Sequence, residues 1–167
     1  MAPLRTADIC DGNLALMATG ELRSLQPIFR MYGRVREFAG PVVTLKLVED
    51  ENASVRRMLD GRGDGKVLVI DGGGSTRAAL MGGSLAELAR SRGWSGIVVN
   101  GCIRDVDEIN ECDIGIRALG SQPAQAGKKV PGEKHVPLFI GGAYIHDGEW
   151  LYADADGVVV SKTQLSL

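Results

Sequence analysis

The sequence predicts a layered α/β fold built on a mixed sheet. Three observations carry that reading. Glycine is abundant, 23 of 167 residues, and it clusters at the ends of apolar runs, as tight turns between short elements require. Two unbroken apolar runs, in KVLVIDGGG (66–74) and GIVVN (96–100), read as buried strands. Helix-like segments occupy the first two-thirds, whereas the last third reads as short strands joined by turns, a distribution that suits helices layered on a mixed sheet.

In chain order, TADICDGNLALMAT (6–19) reads as a helix capped by Thr6 or Asp8. PVVTLKLVED (41–50) alternates apolar and polar residues and reads as a strand. ENASVRRMLDG (51–61) is a helix stopped by its glycine. The strand in 66–74 then runs into a glycine-rich turn. SLAELARSRG (84–93) has the clearest helical pattern: Ser84 and Glu87 form a capping box, Leu85, Leu88 and Ala89 share one face, and Gly93 closes the end. The strand GIVVN leads into NGCIRDVDEIN (100–110). SQPAQAGKKVPGEKH (121–135) is weakly apolar with three lysines and reads as an exposed loop. GIRAL, PLFIGGAYI, EWLYADADG and VVVS complete the chain as strands.

Composition narrows the function. Lys plus Arg number 19 and Asp plus Glu 21, so the net charge of −2 offers no basic footprint for direct nucleic-acid binding. No apolar stretch has the length of a membrane span, and Asp8 and Asp11 precede LALMA where a secretory signal needs positive charge. Three cysteines, Cys10, Cys102 and Cys112, lack metal-type spacing and suit a reducing, cytoplasmic setting. Two histidines, His135 and His146, are too few for a multi-histidine zinc site.

Several stretches could carry chemistry. VLVIDGGGSTR (67–77) has neither dinucleotide-loop nor P-loop spacing, and its glycines more simply allow a tight turn. In MGGSLAEL (81–88) two glycines precede a helix, whose free N–H groups and positive dipole end can hold an anion; an ordinary capping box gives the same pattern. In CIRDVDEIN (102–110), Asp105 and Glu108 have the spacing of a capping box, which leaves Arg104 unexplained. Arg104 follows a strand end, where α/β folds place ligand clefts. Its guanidinium matches a carboxylate, and Asp105 could hold a hard cation such as Mg²⁺. Arginine, aspartate and helix N-terminus together would suit a small 2-oxo acid. Asp154 and Asp156, in DGEWLYADADGVVVS (147–161), read as turn residues.

DGGGSTRAALMGGSLAELARSRGWSGIVVNGCIRDVDEI (71–109) resembles the RraA-like family, which includes the regulator of ribonuclease E activity A and the 4-hydroxy-4-methyl-2-oxoglutarate aldolases. TADICD, CDIGIRALGSQP (112–123), GEKHVP (132–137) and DGEWLYADADGVVVSKT (147–163) extend the resemblance over nearly the whole chain, in the manner of plant-type members. It implies one domain over 1–167, an α/β/β sandwich of the swivelling-domain type, and a homotrimer with sites between subunits. It also implies aldol cleavage to pyruvate and oxaloacetate decarboxylation with a divalent metal, Mg or Mn. By position, the backbone of Gly82, Gly83, Ser84 and Leu85 would hold the substrate carboxylate, Arg104 would bind the pyruvyl moiety, and Asp105 would hold the metal. The aldolase pattern has an aspartate twenty-one positions before the arginine; here that residue is Gly83. Loss of that carboxylate implies weak aldol cleavage with decarboxylation retained. The other class in the family is a non-catalytic trimer that binds a ribonuclease or its helicase partner.

Overall fold

A computed structural model describes residues 4–127 and 130–166. The chain opens with α1 (Thr6–Gly12), α2 (Leu14–Thr19), β1 (Leu22–Ser24), β2 (Arg30–Tyr32), β3 (Phe38–Lys46) and α3 (Ala53–Leu59). Its middle holds β4 (Val67–Asp71), β5 (Ala79–Met81), α4 (Gly83–Ser91), β6 (Gly96–Ile103), α5 (Val106–Glu111) and β7 (Gly115–Ser121). Five further strands follow: β8 (Glu133–Lys134), β9 (Leu138–Ile140), β10 (Ala143–Ile145), β11 (Trp150–Asp154) and β12 (Gly157–Ser161).

The long strand β3 organises the layers. Its first half pairs antiparallel with β11, from Ala153 against Phe38 to Trp150 against Pro41. Its second half pairs parallel with β4, from Val42 against Val67 to Lys46 against Asp71. The changeover falls at Pro41, which has no N–H to give to a ladder. The sheet runs β1-β12-β11-β3-β4-β6-β7-β2, antiparallel on one side and largely parallel on the other.

Parallel strands buried on both faces need continuous apolar runs, and β4 shows why. Leu68 and Ile70 face a core shared with Val55, Leu59, Leu85, Ala86 and Ala89 of the helices. Val67 and Val69 face a second core with Leu138, Ile140 and Ile145 of the β9–β10 hairpin and with Leu151 and Val160. Helices, parallel strands and an antiparallel layer thus stack as an α/β/β sandwich. Ile9 of α1 covers the outer side of the last layer against Leu22, Tyr152 and Val159.

Three local expectations need correction. The helix expected over 6–19 breaks at Asn13, whose φ of −138° is not helical and whose side chain donates to the Ile9 carbonyl at 2.9 Å. Local side-chain bonding of this kind competes with the helical ladder. Neither Thr6 nor Asp8 caps α1; Thr6 instead donates its N–H and its hydroxyl to Asp154, at 2.7 and 2.6 Å. The Ser84–Glu87 capping box does not form either: α4 starts at Gly83 without a side-chain cap of its own, and Glu87 pairs with Arg90. Gly93 does close α4, with φ of +82°. The 121–135 stretch is mostly exposed, yet β8 adds to β3 and Ala126 is buried; Lys128 and Lys129 lie outside the described residues.

Candidate active site

Strands β5 and β6 run parallel, with Ala79 opposite Cys102 and Met81 opposite Ile103. Their carboxyl ends therefore deliver two turns to one edge of the sheet. One turn is Gly82 leading into α4; the other is Arg104–Asp105 leading into α5. The Arg104 N–H donates to the Met81 carbonyl at 3.0 Å and ties the turns together.

Asp105 has φ of +61°, a left-handed conformation that aspartate tolerates better than most residues. That turn aims its carboxylate away from its own helix. Oδ2 accepts the Gly83 N–H at 2.9 Å, so Asp105 serves the first turn of α4, and no side-chain bond caps α5. The capping box read at Asp105 and Glu108 is therefore absent. Its place is taken by a contact between two helices that the sequence does not announce.

Both glycines are explained by what surrounds them. A Cβ on Gly82 would lie 2.5 Å from Asp105 Oδ2 and 3.2 Å from Arg104 Cγ, so a side chain there collides with the pair. A Cβ on Gly83 would run into the carboxylate of Glu108. The space left by the missing side chain at 83 is filled by an acid from α5. Sequence reasoning gave Glu108 only a capping role, because helical spacing alone cannot report a neighbour twenty-five residues back.

Arg104 is half-buried and donates from Nη1 to the Pro123 carbonyl at 3.4 Å; no carboxylate pairs with it among the described residues. Gly82, Ser84, Leu85, Arg104 and Asp105 line a groove of about 50 Å³, joined by Asn52, just before α3, by Arg56 of α3 and by Gln125. The last three were not singled out in the sequence. Of the four N–H groups proposed to hold a carboxylate, that of Gly83 is taken by Asp105, whereas Ser84 and Leu85 lie in the first turn, where helical N–H groups lack internal acceptors. Larger cavities lie elsewhere, two of them, of about 600 and 410 Å³, around Arg23, His146 and Glu149 and around Arg117 and Asp154. Neither includes the strand-end pair, and volume alone does not make a reaction.

The donor set suits a hard cation that keeps its water. Asp105 is exposed, and Glu108 lies on the same helix turn. No group of three or more His, Cys, Asp or Glu side chains could hold a metal among the described residues. Mg²⁺ is commonly held by one or two carboxylates together with substrate and water, so this sparse set fits it and not a closed zinc cage.

Other candidates have structural tasks. Burial pushes the Cys102 thiol up, away from thiolate, and the same cause acts on Cys10 and Cys112. In the glycine turn after β4, Asp71 Oδ1 accepts from the Gly73 N–H at 2.8 Å and from Asn100 at 3.0 Å. Asp154 holds Thr6 and the Asp156 N–H. Neither Lys46 nor Lys66 lines the groove.

A family model described as "Aldolase/RraA", of the RraA-like family, matches residues 6–160. An Arabidopsis thaliana relative named "Putative 4-hydroxy-4-methyl-2-oxoglutarate aldolase 3" is 61% identical over the full length of both chains. A Burkholderia mallei relative, named "Putative 4-hydroxy-4-methyl-2-oxoglutarate aldolase", is 52% identical over 96% of each. Among solved structures, the Thermus RNA-processing inhibitor RraA superposes with a TM-score of 0.91 at 39% identity, covering 99% of this chain and 96% of that one. A Geobacillus kaustophilus structure described as S-adenosylmethionine:2-dimethylmenaquinone methyltransferase also has a TM-score of 0.91, at 41% identity over 97% of each chain.

Proposed function

Because the chain belongs to the RraA-like family, we propose that it is a divalent-metal-dependent lyase cleaving 4-hydroxy-4-methyl-2-oxoglutarate to two pyruvates and decarboxylating oxaloacetate. The observation that carries this reading is the Arg104–Asp105 pair at the end of β6, held against the first turn of α4 with the Glu108 carboxylate beside it.

Both reactions leave the enolate of pyruvate, so both need negative charge stabilised at one place. A bound Mg²⁺ or Mn²⁺, held by Asp105 directly or through water, would polarise the 2-keto group as a Lewis acid. Arg104 binds the pyruvyl end through paired hydrogen bonds. The Ser84 and Leu85 N–H groups receive its carboxylate at the positive end of α4. In aldol cleavage the C4 hydroxyl loses its proton as the C3–C4 bond breaks. The bonding pair passes into the C2 carbonyl, one pyruvate leaves, and protonation of the enolate at C3 gives the second. We assign the hydroxyl proton to Glu108, whose carboxylate fills the space beside Gly83 without lining the groove itself. Decarboxylation breaks C3–C4 with loss of CO₂ and needs no such base.

The small groove supports an assembled site. A water occupies about 30 Å³ of liquid, so a groove of about 50 Å³ receives one end of a six-carbon substrate and not the whole. We place the working form as a homotrimer, with a neighbouring subunit closing the far wall. The setting we propose is cytoplasmic; no helix among the described residues is long and apolar enough to cross a membrane.

The regulatory class is the weaker reading. It leaves the Arg104–Asp105 pair without a task, and the relatives at 52–61% identity carry aldolase names. The methyltransferase description attached to one structure finds no support in a chain whose glycine turn lacks nucleotide-loop spacing. Pyruvate release from both substrates across a Mg²⁺ and Mn²⁺ titration tests the proposal. Metal-stimulated release supports it, and no release from either substrate refutes it.

A further inference from the structure

Six arginines, Arg23, Arg34, Arg62, Arg77, Arg90 and Arg92, each pair with a carboxylate. The other seven do not, among the described residues, and two of these, Arg56 and Arg104, line the same groove. Arg56 reaches it from α3, one helical turn after Asn52, which lines it too; the Arg56 N–H bonds to the Asn52 carbonyl at 3.0 Å. Asn52 directly precedes α3 and Arg56 lies near its start, so an amide and a guanidinium reach the groove together. Two guanidinium groups thus face a groove whose lining holds one carboxylate, Asp105, with one of its oxygens already on the Gly83 N–H. Two separate guanidinium groups suit the two carboxylates of a dianion better than a monoanion.

We infer that Arg56, whose side chain is exposed where the groove opens, is a specificity residue, binding outside the groove the second carboxylate of a 2-oxo dicarboxylate whose 2-oxo end lies inside it at Arg104. This rests on the lyase reading above. Arg104 and the α4 amides account for one carboxylate, and nothing else lining the groove is charged to receive the other. Arginine matches a carboxylate with two parallel donors, whereas lysine offers a point charge. Arg56 is exposed and unpaired, so its replacement leaves no buried group stranded.

The test compares a dicarboxylate with a monocarboxylate at one site. Cleavage of 4-hydroxy-4-methyl-2-oxoglutarate keeps the distal carboxylate intact on the departing pyruvate, so a contact to it persists into the transition state. Exchange of pyruvate methyl protons with D₂O, followed by NMR in the presence of Mg²⁺, passes through the same enolate without a distal carboxylate. Arg56→Gln should lower kcat/KM for the cleavage about 10–100-fold, the worth of a charge-assisted contact. The fall should exceed any change in pyruvate exchange at least about tenfold, and Arg56→Lys should recover part of it. Equal losses in both assays, or unchanged cleavage kinetics in an active protein, overturn the role of Arg56 and leave the lyase reading standing. A wild-type chain that performs neither reaction overturns both.

Discussion

Glu108 is where residue identity and spatial position part company. Chain position assigns the acid near the reacting carbons to residue 83, which here is glycine. The proposed function gives it to Glu108, whose carboxylate fills the volume a side chain at 83 would take. On that proposal aldol cleavage survives without an acid at 83. Glu108→Gln should reduce aldol cleavage about 10²–10⁴-fold, the usual range for general acid–base help, and reduce decarboxylation far less. Equal reductions in parallel steady-state assays would remove Glu108 from proton transfer. Combining Gly83→Asp with Glu108→Ala, which clears the space a side chain at 83 needs, should restore aldol cleavage, since the acid is then moved across the gap between helices. Arg104→Lys should lower kcat/KM for both substrates, because a point charge cannot reproduce a bidentate fork; unchanged values would leave Arg104 a surface cation. The Arg–Asp pair and the α4 N-terminus were legible as residues. Their mutual contact was not, because Asp105 reaches Gly83 only through a left-handed turn that no local pattern specifies.

At the scale of elements, periodicity found the strands and misjudged the ends of helices. The runs in β4 and β6 are apolar throughout because each strand is buried on both faces, and that signal is strong. Caps depend on single hydrogen bonds to partners distant in sequence, and these stayed hidden: Asp154 for α1, Asp105 for α4. The docking of α1 gives a measurable consequence. Burial pushes the Asp154 carboxyl up, but bonds from the Thr6 hydroxyl and from backbone N–H groups outweigh it and hold the carboxyl below its ordinary 3.8. A carboxyl depressed in the folded state adds stability that is complete above its unfolded value and lost as pH falls through the folded one. Thr6→Ala should therefore cost about 1 kcal/mol near neutral pH, and the difference from wild type should shrink below about pH 4. Thermal melts across that range would show it, and a pH-independent difference would assign the cost to packing of α1 alone.

For the whole molecule, the fold class was legible because composition, glycine punctuation and the order of elements agreed. The bend of the sheet at β3 was not, since one strand serves two layers and its sequence reads as an ordinary alternation. Assembly is the property a single chain carries least well. The trimer implied by the family resemblance predicts three times the 17.7 kDa chain mass in sedimentation at micromolar concentration, and a monomer mass would count against a shared site. The central claim is that Asp105 holds the cation that makes a pyruvate enolate reachable, and one comparison tests it most directly: Mg²⁺-dependent pyruvate release from 4-hydroxy-4-methyl-2-oxoglutarate by the wild type and by Asp105→Ala, each with and without EDTA. Losing the acceptor for the Gly83 N–H should cost only about 1 kcal/mol of stability, so the variant remains folded. The account predicts release by the wild type that EDTA abolishes and none by the folded variant; pyruvate release by Asp105→Ala in EDTA at the wild-type rate would contradict it.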